Sequence, residues 1–175
     1  MQYGIAIFPD RSVQDEANNW RIRYDPHYCH IPAHMTLRDP EEWNKATLEA
    51  AIRHLEQVAT AFQPFTVHFN RVSTFFPVNH VLYFALEDPT PVENLHNAIC
   101  GGPLALYEER YVFTPHVTIG QNMASDELHD IYGNLRLREL SLTSHIDRFH
   151  LLYQTEQGGW TSYQSFLLGE APQAQ

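Results

Sequence analysis

The chain has 175 residues, 43% of them hydrophobic and 18% charged, so it is long enough to fold as one domain around a sizeable core. Its formal charge of −10 argues against a protein that holds long nucleic acid through many lysine and arginine contacts to phosphate. A small anionic ligand is compatible with this charge, because a pocket needs only a few local donors. The absence of a basic leader, and of any apolar run near the roughly 18 residues of a membrane span, favours a cytoplasmic protein.

The first half of the sequence predicts two strands, two helices and a β-hairpin. Hydrophobic residues recur at helical spacing in the second helix, and prolines exclude a regular helix from the stretch between the two helices. Ser12 is expected to cap the first helix, and the β-rich runs on either side of Pro77 indicate the hairpin. In chain order, we expect a strand at 3–8, a helix at 12–23, a short extended segment at 34–37, a helix at 41–62, and hairpin strands at 64–76 and 80–87.

The second half repeats this order of elements. It predicts a helix at 92–100, a strand within 111–120, a helix from 125 into the 130s, and strands at 145–154 and 161–169. In the second strands of the two hairpins, Val81 stands as far after His34 as Tyr163 stands after His116. We therefore predict an α+β fold built by duplication of a unit of His-x-Thr (HxT) strand, helix and β-hairpin. Two pseudo-twofold lobes, about 1–90 and 91–170, would surround a central cleft within one domain spanning 1–175.

The most informative feature is a motif that occurs once in each half. The segments IPAHMTL and TPHVTIG place His34 with Thr36, and His116 with Thr118, two residues apart in an apolar run that follows a proline. Residues i and i+2 of a strand share a face, so each histidine projects together with its threonine while the neighbouring apolar residues enter a core. If the halves pack as pseudo-twofold mates, the four polar side chains meet in one cleft.

Two histidines and two threonines in one cleft suit phosphodiester chemistry. In-line attack at phosphorus requires removal of a proton from the nucleophile and delivery of a proton to the leaving oxygen on the opposite side. Histidine, with a pKa near 6.5, serves as base or acid around neutral pH. Threonine hydroxyls donate to the non-bridging phosphate oxygens. This arrangement requires no metal and no other cofactor.

These motifs resemble those of the 2H phosphoesterase superfamily, which includes the 2′-5′ RNA ligases and the cyclic nucleotide phosphodiesterases. The segments YGIAIFP, RYDPHY, PVNHV, FTPHVTIGQN and DRFHLLYQ are similar to the YjcG-type bacterial phosphoesterases, a likeness that runs from about 2 to 169. The resemblance implies two lobes around a cleft, with His34 as proton donor and His116 as proton acceptor. It also implies that Thr36 and Thr118 hold the phosphate.

The expected activity is metal-independent hydrolysis of a 2′,3′-cyclic or other phosphodiester on a nucleotide or short RNA end. One alternative is a nucleotide-binding module that keeps the cleft without turnover. The presence of both histidines and both threonines favours catalysis over that alternative. A second alternative is a 2′-5′ RNA ligase, in which the same chemistry runs in reverse. The acidic charge argues against a protein that holds two RNA ends.

The stretch HYCHIPAH offers a different interpretation, a metal site in a loop. It contains His27, His30 and His34 with Cys29 nearby, but Pro32 excludes a helical pair of histidine ligands four residues apart. Loop coordination stays open as an alternative. The favoured interpretation is a loop at the edge of the pocket that leads into the first motif.

Two arginines and two tyrosines are weaker candidates for ligand contacts. Arg38 follows the first motif directly and Arg148 lies in a predicted strand, so either could neutralise a phosphate. A solvated surface position is the favoured interpretation for both. Tyr24 and Tyr28 could stack on a base, although packing in the core is the default for aromatic residues.

Overall fold

The strands of the described residues form two antiparallel sheets of four strands each. The computed structural model describes residues 1–106 and 112–170, and the elements named here lie within those ranges. In chain order they are β1 (Gln2–Ile7), α1 (Arg11–Tyr24), β2 (Met35–Glu42), α2 (Lys45–Ala61), β3 (Phe65–Thr74), β4 (Val81–Leu86), α3 (Thr90–Ile99), a 3-10 turn (Gly102–Leu104), β5 (His116–Gln121), α4 (Ser125–Leu135), β6 (Leu142–Ile146), β7 (Arg148–Gln154) and β8 (Trp160–Leu167). The strand predicted within 111–120 thus begins at His116, and position 111 lies outside the described residues.

The two sheets have different strand numbers but an equivalent arrangement that begins with an HxT strand at one edge. The first sheet has the order β2-β1-β7-β8 and the second has the order β5-β4-β3-β6. In each sheet an HxT strand lies at one edge, next to the strand that precedes it in the chain. The predicted α+β class and the pseudo-twofold duplication are therefore confirmed, and each sheet combines strands from both halves of the chain.

The alignment of the two halves through Val81 and Tyr163 was wrong. Val81 lies in β4, which pairs directly with the HxT strand β5, whereas Tyr163 lies in β8, at the far edge of the other sheet. The structural counterpart of β4 is β1, because β1 pairs in the same way with the HxT strand β2. The repeated unit therefore includes the strand that precedes each HxT strand. The unit predicted from the sequence began at the HxT strand and did not contain it.

The segment predicted as one strand at 145–154 forms two strands in different sheets. The strand β6 pairs with β3 in the second sheet, and β7 pairs with β1 and β8 in the first. The chain passes from one sheet to the other at Asp147, between Ile146 and Arg148. No glycine or proline marks this point, but the charged Asp147 and Arg148 separate the buried Ile146 and Phe149, so the alternation of buried residues shifts where the chain changes sheet.

The first two helices begin at residues other than those predicted. The N-cap of α1 is Asp10 and not Ser12, and the Asp10 carboxylate accepts from the backbone N–H of His145 at 2.8 Å, which joins the helix to β6. The helix α2 begins at Lys45, because the Asn44 side chain accepts from the Thr47 N–H at 2.9 Å. The residues before Asn44 that were expected to be helical belong to β2 and to its connection.

The apolar residues of the two motifs enter the core as predicted. Met35 and Leu37 are fully buried, and so is Val117, while Ile119 is 1% exposed. The helix α1 packs against β5 and α3 packs against β2, so each HxT strand is covered by a helix from the other half. Within the described ranges, no helix combines the length and apolar character needed to cross a membrane.

Candidate active site

The two HxT strands lie against each other and border a cleft of about 290 Å³. His34 and Thr36 from the first motif and Thr118 from the second line this cleft. His116 is at the start of β5, two residues before Thr118 on the same strand, and is half-buried. The structure therefore brings the two motifs together, with three of the four predicted side chains lining the cleft and His116 beside it.

The two imidazoles are held in the same way. Nδ1 of His34 donates to the carbonyl of Pro32 at 2.8 Å, and Nδ1 of His116 donates to the carbonyl of Thr114 at 2.7 Å. A carbonyl oxygen only accepts, so Nδ1 must carry the proton in both rings. When either imidazole is neutral, its Nε2 has a free lone pair and can act as a base.

Aromatic rings hold His116 from the side. The ring of Phe75 lies edge-on to the imidazole with centroids 4.9 Å apart, and the ring of Tyr83 lies 5.2 Å away in a similar orientation. Tyr83 is on β4, directly opposite Thr118 on β5. Phe75 and Tyr83 thus form an aromatic wall against the imidazole and remove water from part of its surface.

Burial favours the neutral form of both imidazoles. It lowers the pKa of His34 to about 4, and repulsion from Arg21 and His116 lowers this pKa further against the opposing effects of the Pro32 carbonyl and Asp25. Burial also lowers the pKa of His116 below its ordinary value, while the Thr114 carbonyl and Asp39 act in the opposite direction. A protonated imidazole at this site therefore requires added negative charge, such as that of a phosphate.

The depressed pKa of His34 predicts a loss of stability in acid. The unfolded chain binds this proton near pH 6.5 but the folded protein binds it only near pH 4, so the free energy of unfolding falls as the pH drops between these values. The difference corresponds to about 3 kcal/mol at pH 4. In urea unfolding, we expect the free energy of unfolding of the wild type to fall by about 3 kcal/mol more than that of His34→Ala between pH 7 and pH 4. Parallel pH dependences of the two proteins would show that His34 titrates normally.

An ion pair under the cleft was missed by sequence reasoning. Arg21 and Asp25 line the cleft, and their side chains are only 2% and 3% exposed. Nε of Arg21 donates to Oδ2 of Asp25 at 3.1 Å, and Nε2 of Gln121 donates to Oδ1 of Asp25 at 2.8 Å. An arginine and an aspartate four residues apart resemble an exposed helix pair, and no spacing rule connects either of them to Gln121.

The surface interpretation of Arg38 was also wrong, whereas that of Arg148 is confirmed. Arg38 is 7% exposed and lines the cleft. Its guanidinium donates to the carbonyl of Leu104 at 2.7 Å and to the carboxylate of Glu41 at 2.6 Å. Arg148 is exposed and pairs with the neighbouring Asp147. The alternation of β2 continues from the motif to Arg38, which is the signal that could have identified this position.

Of the other candidates in the loop before the first motif, the two histidines line the cleft and Tyr28 does not. His27 and His30 line the cleft, with ring centroids 6.0 Å apart. In the two described ranges, no three or more histidine, cysteine, aspartate or glutamate side chains are grouped to hold a metal ion. Tyr28 lies under the Arg21 guanidinium, 5.5 Å from it, and is not one of the cleft-lining residues.

The indole of Trp160 also lines the cleft. It lies over Gly4 of β1, where an added Cβ would come within 3.7 Å of the indole. Its backbone N–H donates to the carbonyl of His30 at 2.8 Å, so the turn before β8 is joined to the loop that leads into the first motif. The indole belongs to the wall of the cleft formed by the first sheet.

Known proteins are similar to this chain in sequence and in fold. Residues 9–158 match the 2′-5′ RNA ligase superfamily. A protein of Bacillus licheniformis named "Putative phosphoesterase" is 43% identical over 169 residues, which cover 97% of this chain and 99% of that protein. A Bacillus cereus protein of the same description is 44% identical over 170 residues, covering 97% of this chain and 98% of its own.

Solved structures with much lower sequence identity share the fold. E. coli LigT in complex with 3′-AMP superposes with a TM-score of 0.70 at 15% identity and covers 97% of this chain and 98% of its own. A protein of Thermus thermophilus gives a TM-score of 0.68 at 18% identity with the same coverage. Given the family match and these close relatives, the chain belongs to the 2′-5′ RNA ligase superfamily, among the members named as phosphoesterases.

Proposed function

We propose that the protein hydrolyses a phosphodiester of a nucleotide or short RNA end, most readily a 2′,3′-cyclic phosphate, without a metal. The observation that carries this proposal is the repeated geometry of the two histidines. Each is anchored through Nδ1 to a backbone carbonyl two residues earlier, and each stands two residues before a threonine that lines the same cleft. Two such imidazoles suit a reaction that needs a base on one side of phosphorus and an acid on the other.

In the proposed reaction, the two histidines have opposite roles. Nε2 of His116 takes a proton from water as the water oxygen forms a bond to phosphorus. The bond from phosphorus to one ribose oxygen breaks, and that oxygen takes a proton from Nε2 of His34, leaving a phosphate monoester. Thr36 and Thr118 donate to the non-bridging oxygens, where negative charge is concentrated in the transition state.

The low pKa of His34 is consistent with a proton donor that becomes protonated when its substrate binds. A neutral imidazole has no proton to give from Nε2, so His34 must be protonated when the substrate is bound. The negative charge of a bound phosphodiester raises the pKa of both neighbouring imidazoles. Substrate binding would thus supply the protonated state that burial suppresses in the free protein.

A small nucleotide fits the cleft better than a long strand. The cavity of about 290 Å³ is near the lower end of the usual range for ligand pockets, and Trp160 offers a flat face for a base. Crystal structures of E. coli LigT contain 3′-AMP, ATP, NADP+ or phosphate, none of which is a long strand. The formal charge of −10 disfavours the many phosphate contacts that a long RNA would bring. We propose that the enzyme acts on such substrates in the cytoplasm.

A screen of cyclic and linear nucleotide phosphodiesters in the presence of EDTA tests this function. The expected result is turnover of at least one 2′,3′-cyclic nucleotide to a monoester, undiminished by EDTA. A variant with alanine at His129, an exposed histidine on α4, serves as the matched control and should keep full activity. Activity that disappears in EDTA and returns with a divalent ion would contradict metal independence. Binding without turnover of any substrate would favour the nucleotide-binding module, and joining of RNA ends would favour a ligase.

A further inference from the structure

The carboxylate of Asp25 is the centre of a buried network that joins the two halves of the protein. Arg21 and Asp25 lie at the C-terminal end of α1, in the first half, and Gln121 is the last residue of β5, in the second. Asp25 accepts one hydrogen bond from each of these side chains and a third from the backbone N–H of His27 at 2.9 Å. The hydrogen bond from Gln121 is therefore a direct polar connection between the second HxT strand and the first half.

The same network reaches the backbone that orients His34. Nη2 of Arg21 donates to the carbonyl of Ile31 at 2.6 Å. Ile31 is bonded to Pro32, whose carbonyl accepts from Nδ1 of His34. A continuous path of hydrogen bonds and short backbone segments therefore runs from Gln121, three residues after Thr118, to the imidazole of the first motif.

A similar hydrogen bond connects the other HxT strand to the opposite half of the chain. Arg38, near the middle of β2, donates to the carbonyl of Leu104, in the segment that follows α3. Gln121 donates to Asp25, in the segment that follows α1, and α1 and α3 are equivalent helices of the duplication. Each HxT strand is thus hydrogen-bonded to the opposite half of the chain a few residues beyond its motif, although the side chains that form these bonds differ.

We propose that Gln121 is a positioning residue that, through Asp25 and Arg21, holds the His34 loop in register with the second HxT strand. The two imidazoles can act on one phosphorus only if this register is kept. Misplacement of reacting groups by about 1 Å can cost on the order of 100-fold in rate. The kinetic consequence rests on the function proposed above, but the structural consequence for His34 does not.

Removal of the Gln121 amide changes no charge near His34. The charged and titratable groups that act on this imidazole are Arg21 and Asp25 from α1 and His116 from β5. All three remain in Gln121→Met, which has a side chain of similar length without the donor. A changed titration of His34 in this variant therefore reports a change of position or hydration and not a lost charge. Since burial is the main cause of the low pKa, a looser loop that admits water should raise it.

The test compares Gln121→Met with Gln57→Met, which makes the same change on an exposed position of α2. Histidine titrations by NMR, well below the melting temperature, should show a higher His34 pKa in Gln121→Met and the wild-type value in Gln57→Met. On the substrate identified by the screen, Gln121→Met should lose on the order of 10-fold in kcat with little change in KM. If Gln121→Met does not fold, Gln121→Asn, whose amide is one methylene shorter, is measured in the same way.

A folded Gln121 variant with the wild-type His34 titration and wild-type kcat would overturn the proposal. A lower melting temperature with both of these values unchanged would also overturn it, because Gln121 would then be only a structural residue. If the wild type turns over no phosphodiester, the proposed function fails, and the NMR comparison alone decides whether Gln121 positions His34.

Discussion

Replacing His34 or His116 with alanine is expected to lower kcat/KM by about 10²–10⁴-fold, the usual contribution of a positioned acid or base. Each change removes one of the two proton transfers at phosphorus while the threonines and the cleft remain. The double variant should lose far less than the product of the two single losses, because groups that act as a unit are not additive. Thr36→Ala and Thr118→Ala should each cost less, since the proton transfers stay intact.

Turnover and melting temperature must be measured on the same preparations of these variants. Both imidazoles are half-buried at the cleft and not in the core, so the variants should remain folded at assay temperature. The control at the exposed His129 should match the wild type in both measurements. If the His34 and His116 variants stay active, or lose activity only by unfolding, the two histidines have a structural role and the catalytic proposal is wrong.

Asp25→Ala is expected to have the largest effect on stability, about 3–5 kcal/mol in the free energy of unfolding. The substitution leaves the Arg21 guanidinium, 2% exposed, without its counter-charge in an environment with little access to water. It also removes the acceptor for Gln121. Breaking a buried ion pair by deleting one partner is costly because the remaining charge stays desolvated.

The matched control for Asp25→Ala is Asp147→Ala. Asp147 also pairs with an arginine, Arg148, at 2.9 Å, but the two side chains are 46% and 47% exposed. An exposed pair of this kind contributes less than about 1 kcal/mol, so this variant should unfold close to the wild-type denaturant concentration. Urea unfolding at pH 7 measures both. Equal, small losses in the free energy of unfolding of the two variants would mean that water reaches Arg21 and solvates its charge.

The parts of the site that follow strand alternation could be predicted from the sequence. Histidine and threonine two apart, with Met35 and Leu37 between and after them, predict one polar and one buried face, and the structure has both. The same alternation extends to Arg38, which was nevertheless assigned to the surface because arginine is usually solvated. The rule of alternation was a better guide at that position than the average behaviour of the residue type.

The network under the cleft could not be predicted, for a physical reason. Asp25 and Gln121 are 96 residues apart and meet only because α1 packs against the HxT strand of the other half. Neither the hydrophobic period of α1 nor the pattern of β5 contains that contact. The crossing of the chain between sheets at Asp147 is different, because the charged Asp147 and Arg148 shift the alternation of buried residues there and so give a signal in the sequence.

The most direct test of the central claim, that His34 gives a proton to the leaving oxygen while His116 takes one from water, uses two substrates. They are nucleotide phosphodiesters that differ only in the leaving group, an alkyl alcohol or 4-nitrophenol, and kcat/KM is measured for the wild type, His34→Ala and His116→Ala. The 4-nitrophenolate leaves without a proton, so this substrate should restore most of the activity of His34→Ala, while His116→Ala stays impaired on both. Equal losses of the two variants on both substrates, or rescue of His116→Ala instead, would contradict the account.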